Sequence, residues 1–217
     1  SRRAGGQDFE SRLETARAHF LAGRPHKAEA LVRQCLRKHD HDAGALHRMG
    51  LIARRKGRLE RAIQLLAKAV AAAPDDAAML CDLGLAYRAA GYFEKAVACQ
   101  EKVAGWLPGS AEALSNLGAA YRSAGRLIEA LDWLGRAVGL QPGTVELHYN
   151  LAKGLLAAGR PRDAETSFGR TIALAPDHPR AHVNLAVALK EQGRLDDAIA
   201  AFRAAVARMP GNADAHW

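Results

Sequence analysis

Three asparagines recur along the chain at a constant spacing, and their side chains could bind the backbone of another polypeptide. They are Asn116, Asn150 and Asn184, which lie 34 residues apart. An asparagine amide carries both donors and an acceptor, so it can match the N–H and C=O groups of an extended peptide without reading its side chains. The alternative is that these amides bond a neighbouring helix or face solvent.

A second set of side chains at the same interval is basic. Arg54, Arg88, Arg122 and Lys190 occupy one repeated position, and Arg55 stands beside the first of them. Arginine can bind a carboxylate with two parallel hydrogen bonds, so this row would favour acidic segments of a partner. A charged flank in solvent is the alternative. The formal net charge of +8 also indicates acidic partners.

The spacing belongs to a repeat that covers almost the whole chain. Glycine, alanine and proline each return every 34 residues, as in Gly57, Gly91 and Gly125. A fixed period of this length is typical of repeat architectures. We assign residues 1–8 to an N-terminal tail and residues 213–217 to the start of a further, truncated repeat, so the chain is expected to be a fragment. The six complete repeats are 9–42, 43–76, 77–110, 111–144, 145–178 and 179–212.

Each repeat is predicted to form two helices, A and B. Apolar or small residues at repeat positions 4, 7, 8 and 11 give helix A one buried side. The glycine at position 15 ends helix A, because a helix C-cap often needs a positive φ. Acidic residues begin helix B and a proline ends it. We expect Gly84 or Gly118 to meet Ala96 or Ala130 where the two helices approach closely.

This pattern resembles the tetratricopeptide repeat family. The family resemblance implies an all-α fold, a right-handed α-solenoid of antiparallel helix pairs whose A helices line a concave groove. The matching residues of the fourth repeat are Leu114, Leu117, Gly118, Tyr121, Ala130, Leu134 and Pro142. The departures from the family pattern are Thr15, His19, Asp40 and Gln100.

The asparagine row also resembles the asparagine ladder in the tetratricopeptide region of O-linked N-acetylglucosamine transferases. In that family, the ladder holds the backbone of bound protein segments. Glu14, Arg48 and Asp82 stand at the same position of the first three repeats. The ladder is therefore expected only in the C-terminal half of the chain.

These features predict a protein-interaction scaffold that binds an extended or helical peptide in its groove, where Tyr149 and Lys153 are further candidate contacts. One alternative is the substrate-docking arm of a larger enzyme, because similar bacterial arrays continue into a glycosyltransferase-like domain. Another is nucleic-acid binding through the basic surface. The groove offers few stacking aromatics, mainly Phe20 and Tyr149, so nucleic acid is the less favoured partner.

Catalysis and cofactors find no support in the sequence. No nucleotide-binding, zinc-protease or serine-hydrolase motif occurs, so we expect no enzyme activity and no cofactor. His148, His182 and His216 fall at a packing position, and the "KHDHD" stretch at 38–42 would bind a metal only adventitiously. No metal site is therefore predicted.

A few features of the sequence bear on the location and the oligomeric state. Three cysteines without a CxxC pair favour reduced thiols and a cytoplasmic location. No apolar run reaches the roughly 20 residues that cross a bilayer, so membrane insertion is not expected. The last repeat has no complete capping helix, and we expect self-association through Phe202 and Val206.

Overall fold

The computed structural model describes the backbone of residues 2–178 and 180–208, and the side chains of residues 9–178 and 180–206. Over this part of the chain the protein consists of twelve α-helices and contains no strand, which confirms the predicted all-α fold. The predicted seventh repeat and His216 lie outside the described residues. The helices are α1 (Arg2–Leu21), α2 (Pro25–Leu36), α3 (Ala43–Arg55), α4 (Leu59–Ala72), α5 (Ala77–Ala89), α6 (Phe93–Trp106), α7 (Ala111–Ser123), α8 (Leu127–Leu140), α9 (Val145–Ala157), α10 (Pro161–Leu174), α11 (Ala181–Glu191) and α12 (Leu195–Arg208).

The odd-numbered helices are the predicted A helices, and the even-numbered ones are their B partners. The glycine between the two helices has a positive φ in all six repeats, between 68° and 84°, as the sequence predicts. After Gly57, for example, the N–H of Arg58 bonds back to the carbonyl of Ala53 at 2.9 Å. This bond satisfies a carbonyl that the helix end would otherwise leave without a partner.

The A helices also begin with a recurring cap that was not predicted from the sequence. The Asp42 carboxylate accepts a hydrogen bond from the N–H of Ala45 at 2.7 Å, and Asp76 and Ser110 make the same contact at the next two helix starts. These residues hold the last position of each repeat. A side-chain acceptor there satisfies one of the free N–H groups of the first helical turn.

The start of α1 differs from the prediction. The helix begins at Arg2, so residues 2–8, which the sequence assigned to a tail, belong to the first helix. No proline interrupts this stretch, and a helix can extend through it. The chain also divides into two compact units, Ser1–Trp106 and Leu107–Trp217, each with three repeats. No feature of the repeat pattern marks this boundary.

In the second and fourth repeats, close packing of A on B depends on a glycine in helix A, as predicted for Gly118. A Cβ at Gly118 would lie 2.6 Å from Leu134 Cγ and 3.0 Å from the Ala130 carbonyl oxygen. A Cβ at Gly50 would lie 2.7 Å from Leu66 Cγ. The space above each glycine is therefore taken by a leucine of helix B.

In the third repeat, a glutamine stands where the second and fourth repeats have this leucine. Next to Gly84 the nearest atoms belong to Gln100 and Cys99, and not to the predicted Ala96. The reason is that helix B directs its position 24 side chain, here Gln100, toward the glycine. Gln100 is 1% exposed, and its Oε1 is the only buried side-chain polar atom without a hydrogen-bond partner among the described residues.

Candidate functional site

The asparagine row lies on the A helices of the C-terminal unit, where α9 packs between α7 and α11. Asn150 on α9 donates from Nδ2 to Ser115 Oγ on α7 at 3.1 Å. Asn184 on α11 donates from Nδ2 to Tyr149 Oη on α9 at 2.9 Å. Asn116 lies partly buried at the same position of α7. Two asparagines thus bond the neighbouring helix, which is the alternative that the sequence left open.

One such bond leaves part of the hydrogen-bonding capacity of the asparagine side chain unused. Each asparagine side chain has two N–H donors and a carbonyl oxygen, and a single donated bond uses one of them. Asn150 and Asn184 are both partly buried, so each side chain keeps some contact with solvent. The bond to the neighbouring helix fixes the rotamer of the amide, while the rest of the group remains able to bind a ligand.

Tyr149 is the centre of an aromatic and basic cluster on the same unit. Its ring lies 4.6 Å from the ring of His178, and Lys153 Nζ lies 5.2 Å from its centroid. Burial lowers the pKa of His178 below its ordinary value. His178 Nδ1 accepts the N–H of Ala181 at 3.2 Å, which is a contact of the neutral ring. His178 therefore caps α11 and supports one side of Tyr149.

Arg122 on α7 completes this site. The side chain is partly buried, and burial lowers its pKa, while the nearby Tyr149 hydroxyl opposes this shift. No carboxylate contributes to this balance. A cation removed from water without a counter-charge is costly, and an incoming carboxylate would offset part of that cost. We call Asn116, Arg122, Tyr149, Asn150 and Asn184 the asparagine face.

The basic row behaves differently in the N-terminal unit. Arg54 forms an ion pair with Asp82 at 3.2 Å, and His47 contacts the same carboxylate at 2.9 Å. Arg55 donates to the Phe20 carbonyl at 2.6 Å and covers the Phe20 ring. These two arginines thus already contact other groups of the protein. Of the remaining predicted cations, Arg88 is partly buried on α5 and Lys190 is exposed on α11.

The histidines at the predicted packing position have a structural contact. His148 Nε2 donates to the Pro142 carbonyl at 2.8 Å, and His182 Nε2 donates to the Pro176 carbonyl at 2.7 Å. Each bond ties helix A to the loop that precedes it. Within the described part of the chain, no three His, Cys, Asp or Glu side chains are grouped so that they could hold a metal ion.

Two contributors to the asparagine face were missed from the sequence. They are Ser115, which accepts the Asn150 bond, and His178, which supports Tyr149. The signal for Ser115 was available in principle, because a position 6 side chain meets position 5 of the preceding repeat in three cases. To predict this contact, one must know how far adjacent A helices are displaced along each other. The repeat period alone does not give this displacement.

Six helical hairpins with this capping and packing define an all-α repeat protein of the scaffold class. The chain belongs to the tetratricopeptide repeat family, since family models described as tetratricopeptide repeats match residues 13–77 and 149–213, residues 77–108 and residues 110–140. Tetratricopeptide arrays are generally non-catalytic scaffolds that bind other proteins on extended surfaces. No helix of the described residues is long and apolar enough to cross a membrane.

Solved structures with the same fold come from several proteins. MamA protein is 26% identical, with a TM-score of 0.62 over 81% of this chain and 96% of MamA. A tetratricopeptide repeat protein from Parabacteroides merdae is 20% identical, with a TM-score of 0.80 over 96% of this chain and 83% of its own. The pilF protein of Pseudomonas aeruginosa is 14% identical, with a TM-score of 0.77 over 97% and 96%. Among curated proteins no significant sequence match is found.

Proposed function

We propose that the chain is a protein-interaction scaffold whose asparagine face binds an extended segment of a partner, with a preference for acidic segments. The observation that carries this proposal is the position of Asn150 and Asn184 on adjacent A helices, each fixed by one hydrogen bond to the preceding repeat. The amide groups that remain match the alternating N–H and C=O groups of a peptide backbone.

Preorganisation makes these asparagines suitable for binding. A side chain that is already held in one rotamer loses little conformational entropy when a ligand arrives. Ser115, which holds Asn150, is only 5% exposed, so its hydroxyl is itself well fixed. Tyr149, which holds Asn184, is braced by His178 at 4.6 Å. The face is thus expected to bind a peptide without rearrangement.

Arg122 supplies the acidic preference. Its guanidinium is partly buried and has no carboxylate acting on it, and Lys153 lies over the neighbouring Tyr149 ring. A glutamate or aspartate of the bound segment would pair with Arg122 in a site partly shielded from solvent. Such charge-assisted bonds are stronger than neutral ones. A docking arm of a larger enzyme would use the same face in the same way.

The test compares variants that remove the same intramolecular bond. Peptides are selected from a displayed random-sequence library with the full chain, and their Kd values are measured by fluorescence anisotropy at raised salt. Asn150→Ala with Asn184→Ala removes the amides, whereas Ser115→Ala with Tyr149→Phe removes only their partners. Each hydrogen bond to the peptide that is lost should cost about 1 kcal/mol. The Asn150→Ala and Asn184→Ala double variant should therefore bind about thirtyfold more weakly, or weaker still.

The matched control defines the outcome. Both double variants lose the two inter-repeat hydrogen bonds, so their helicity and thermal stability should be similar. Ser115→Ala with Tyr149→Phe should change Kd far less than the asparagine pair. Equal Kd values for the asparagine pair and the wild type would refute the proposed role of these amides. Binding of single-stranded DNA with a steep dependence on salt would instead support the nucleic-acid alternative.

The location is a separate part of the proposal. Cys35, Cys81 and Cys99 form no disulfide in the structure. Reduced cysteines persist in reducing compartments, so we expect the protein to act in the cytoplasm. Self-association through α12, where Phe202 and Val206 are partly buried, stays a prediction.

A further inference from the structure

A second candidate site lies in the N-terminal unit. A cavity of about 330 Å³ opens where the B helices α2 and α4 flank α3. Its apolar lining consists of side chains from all three helices, namely Leu36, Met49, Ile52, Ala53 and Leu65. We call this cavity and the charged side chains around it the basic groove.

The charges around the basic groove are strongly unbalanced. Four arginines line it, Arg33 and Arg37 on the α2 side and Arg58 and Arg61 on the α4 side. Lys56 lies between these sides, so five cations surround a single carboxylate, that of Glu29.

Glu29 is already shared among three of these cations. It accepts a hydrogen bond from Lys56 and one from Arg33 at 2.6 Å, and Arg58 lies 3.9 Å away. Lys56 and Glu29 are well covered, with side chains 13% and 14% exposed, while Arg33 and Arg58 are 65% and 63% exposed. One partly buried carboxylate therefore cannot neutralise the arginines at the rim, and these remain directed into solvent.

Glu29 and Lys56 have a structural role that explains their presence. In the C-terminal unit, Glu165 occupies the same repeat position as Glu29 and bonds Gln192 at 2.8 Å and Arg194 at 2.9 Å. The contact joins helix B of one repeat to the turn of the next in both units. The Glu29–Lys56 contact thus stabilises the packing of one repeat on the next, whereas the remaining arginines have no such structural role.

A comparison with the equivalent cavity of the C-terminal unit supports this distinction. That cavity, of about 370 Å³, is lined by Leu131 where the basic groove has Glu29, and by Asp163 where it has Arg61. Its arginine, Arg160, is paired with Asp163 at 2.6 Å, so no charge is left over. The cavity is common to the two units, and the excess of positive charge is specific to the basic groove.

The sequence shows the same contrast. Arg33 and Arg37 stand at repeat positions 25 and 29. The second repeat has Ala67 and Ala71 at these positions. The fourth and fifth repeats have only glycine or alanine there, at Gly135, Gly139, Gly169 and Ala173. Packing of the repeat therefore does not require an arginine at either position.

We infer that the basic groove is a second protein-binding site, which takes an acidic segment that places an aliphatic side chain in the cavity and carboxylates against the arginines on its two sides. The lining contains no aromatic ring on which a nucleic-acid base could stack. Ile52 and Leu65 are 2% and 4% exposed and lie below the arginine heads, so they cannot insert into a bilayer. A segment with an aliphatic side chain between carboxylates matches both the apolar lining of the cavity and the arginines around it.

The experiment uses a peptide in which a photoreactive leucine alternates with pairs of glutamates, mixed with the full chain. The expected result is saturable binding and crosslinks to residues of α2, α3 or α4. Arg33→Ala with Arg37→Ala reproduces the alanines of the second repeat and should preserve helicity. This variant should weaken binding about tenfold, since two exposed ion pairs are lost. Arg160→Ala, in the equivalent cavity, should leave Kd unchanged.

Several results would overturn the inference. Crosslinks confined to α7, α9 or α11 would assign the peptide to the asparagine face and not to the basic groove. An unchanged Kd in the folded Arg33 and Arg37 double variant would show that these arginines do not bind it. Tight binding of single-stranded DNA or of anionic phospholipid vesicles, lost in the double variant, together with no peptide binding, would make the partner a nucleic acid or a membrane. Crosslinking of this peptide to α2, α3 or α4 should be unchanged in the asparagine-pair variant, so the two sites are tested separately.

Discussion

Gln100 is the side chain whose replacement tests the packing account most sharply. It is 1% exposed, its Oε1 has no partner, and its Nε2 donates to the Cys81 carbonyl at 3.0 Å. In the other repeats that the structure describes at this position, the residue is apolar, and Val32, Leu66, Leu134 and Phe168 are all fully buried. We predict that Gln100→Leu stabilises the N-terminal unit.

The magnitude follows from three contributions. An unsatisfied buried acceptor costs about 1–3 kcal/mol, and its removal recovers that amount. Loss of the bond to the Cys81 carbonyl costs about 1 kcal/mol. A leucine at position 100 would face Gly84 as Leu66 faces Gly50 and Leu134 faces Gly118, so the space is suited to it. Burial of the added apolar surface contributes about 1 kcal/mol. The expected net stabilisation is about 1–3 kcal/mol.

Hydrogen exchange measured by mass spectrometry shows in which of the two units the stability changes. Protection should increase in α5 and α6 of Gln100→Leu and remain unchanged in α9 and α10. The thermal midpoint of the N-terminal unit should rise by about 4–8 °C for each kcal/mol. The reciprocal change, Leu134→Gln, should destabilise the C-terminal unit. If Gln100→Leu were neutral or destabilising, the orphaned Oε1 would not be a cost, and the reasoning would be wrong.

Two further predictions concern the helix ends and the packing glycines. His178→Ser keeps a cap for α11, because a serine caps α7 in the same way at Ser110. The change removes an imidazole whose pKa is lowered by burial. Arg180 and His182 lower this pKa further, and Glu146 opposes the shift. A lowered pKa means that the unfolded chain binds the proton more tightly, so the wild type should lose stability as the pH falls below about 6.5, and urea unfolding should show a weaker loss in His178→Ser. Gly125→Ala introduces only the strain of a φ of 77° and should cost about 1–2 kcal/mol in urea unfolding. Gly118→Ala should cost more, because its Cβ would lie 2.6 Å from Leu134; equal losses for the two glycine variants would contradict this packing argument.

Much of the fold could be predicted because its signals are local. A glycine that needs a positive φ, a proline after a helix and acidic residues in a first turn all act within a few residues of their position. Gly57 and Glu60 illustrate this, since the structure confirms the positive φ of the glycine and the place of the glutamate in the first turn of α4.

The partners of individual side chains were harder to predict, because they depend on how one helix is offset against the next. Asn184 meets Tyr149, and Arg54 meets Asp82, across adjacent A helices. A period of 34 residues shows which residues occupy the same repeat position, but it does not show which positions of adjacent repeats contact each other. For the same reason, the sequence could not show that Arg54 and Arg55 contact other groups of the protein, whereas Arg122 pairs with no carboxylate among the described residues.

The side-chain amide signals of the asparagine face provide the most direct test of the proposed function. In a ¹⁵N-labelled full chain, a peptide selected from the random library should shift or broaden the side-chain NH₂ signals of Asn116, Asn150 and Asn184 in proportion to occupancy. The backbone signals of α7, α9 and α11 should change with them. Saturable binding that leaves all three amides unmoved would contradict the account, because the peptide would then be held elsewhere.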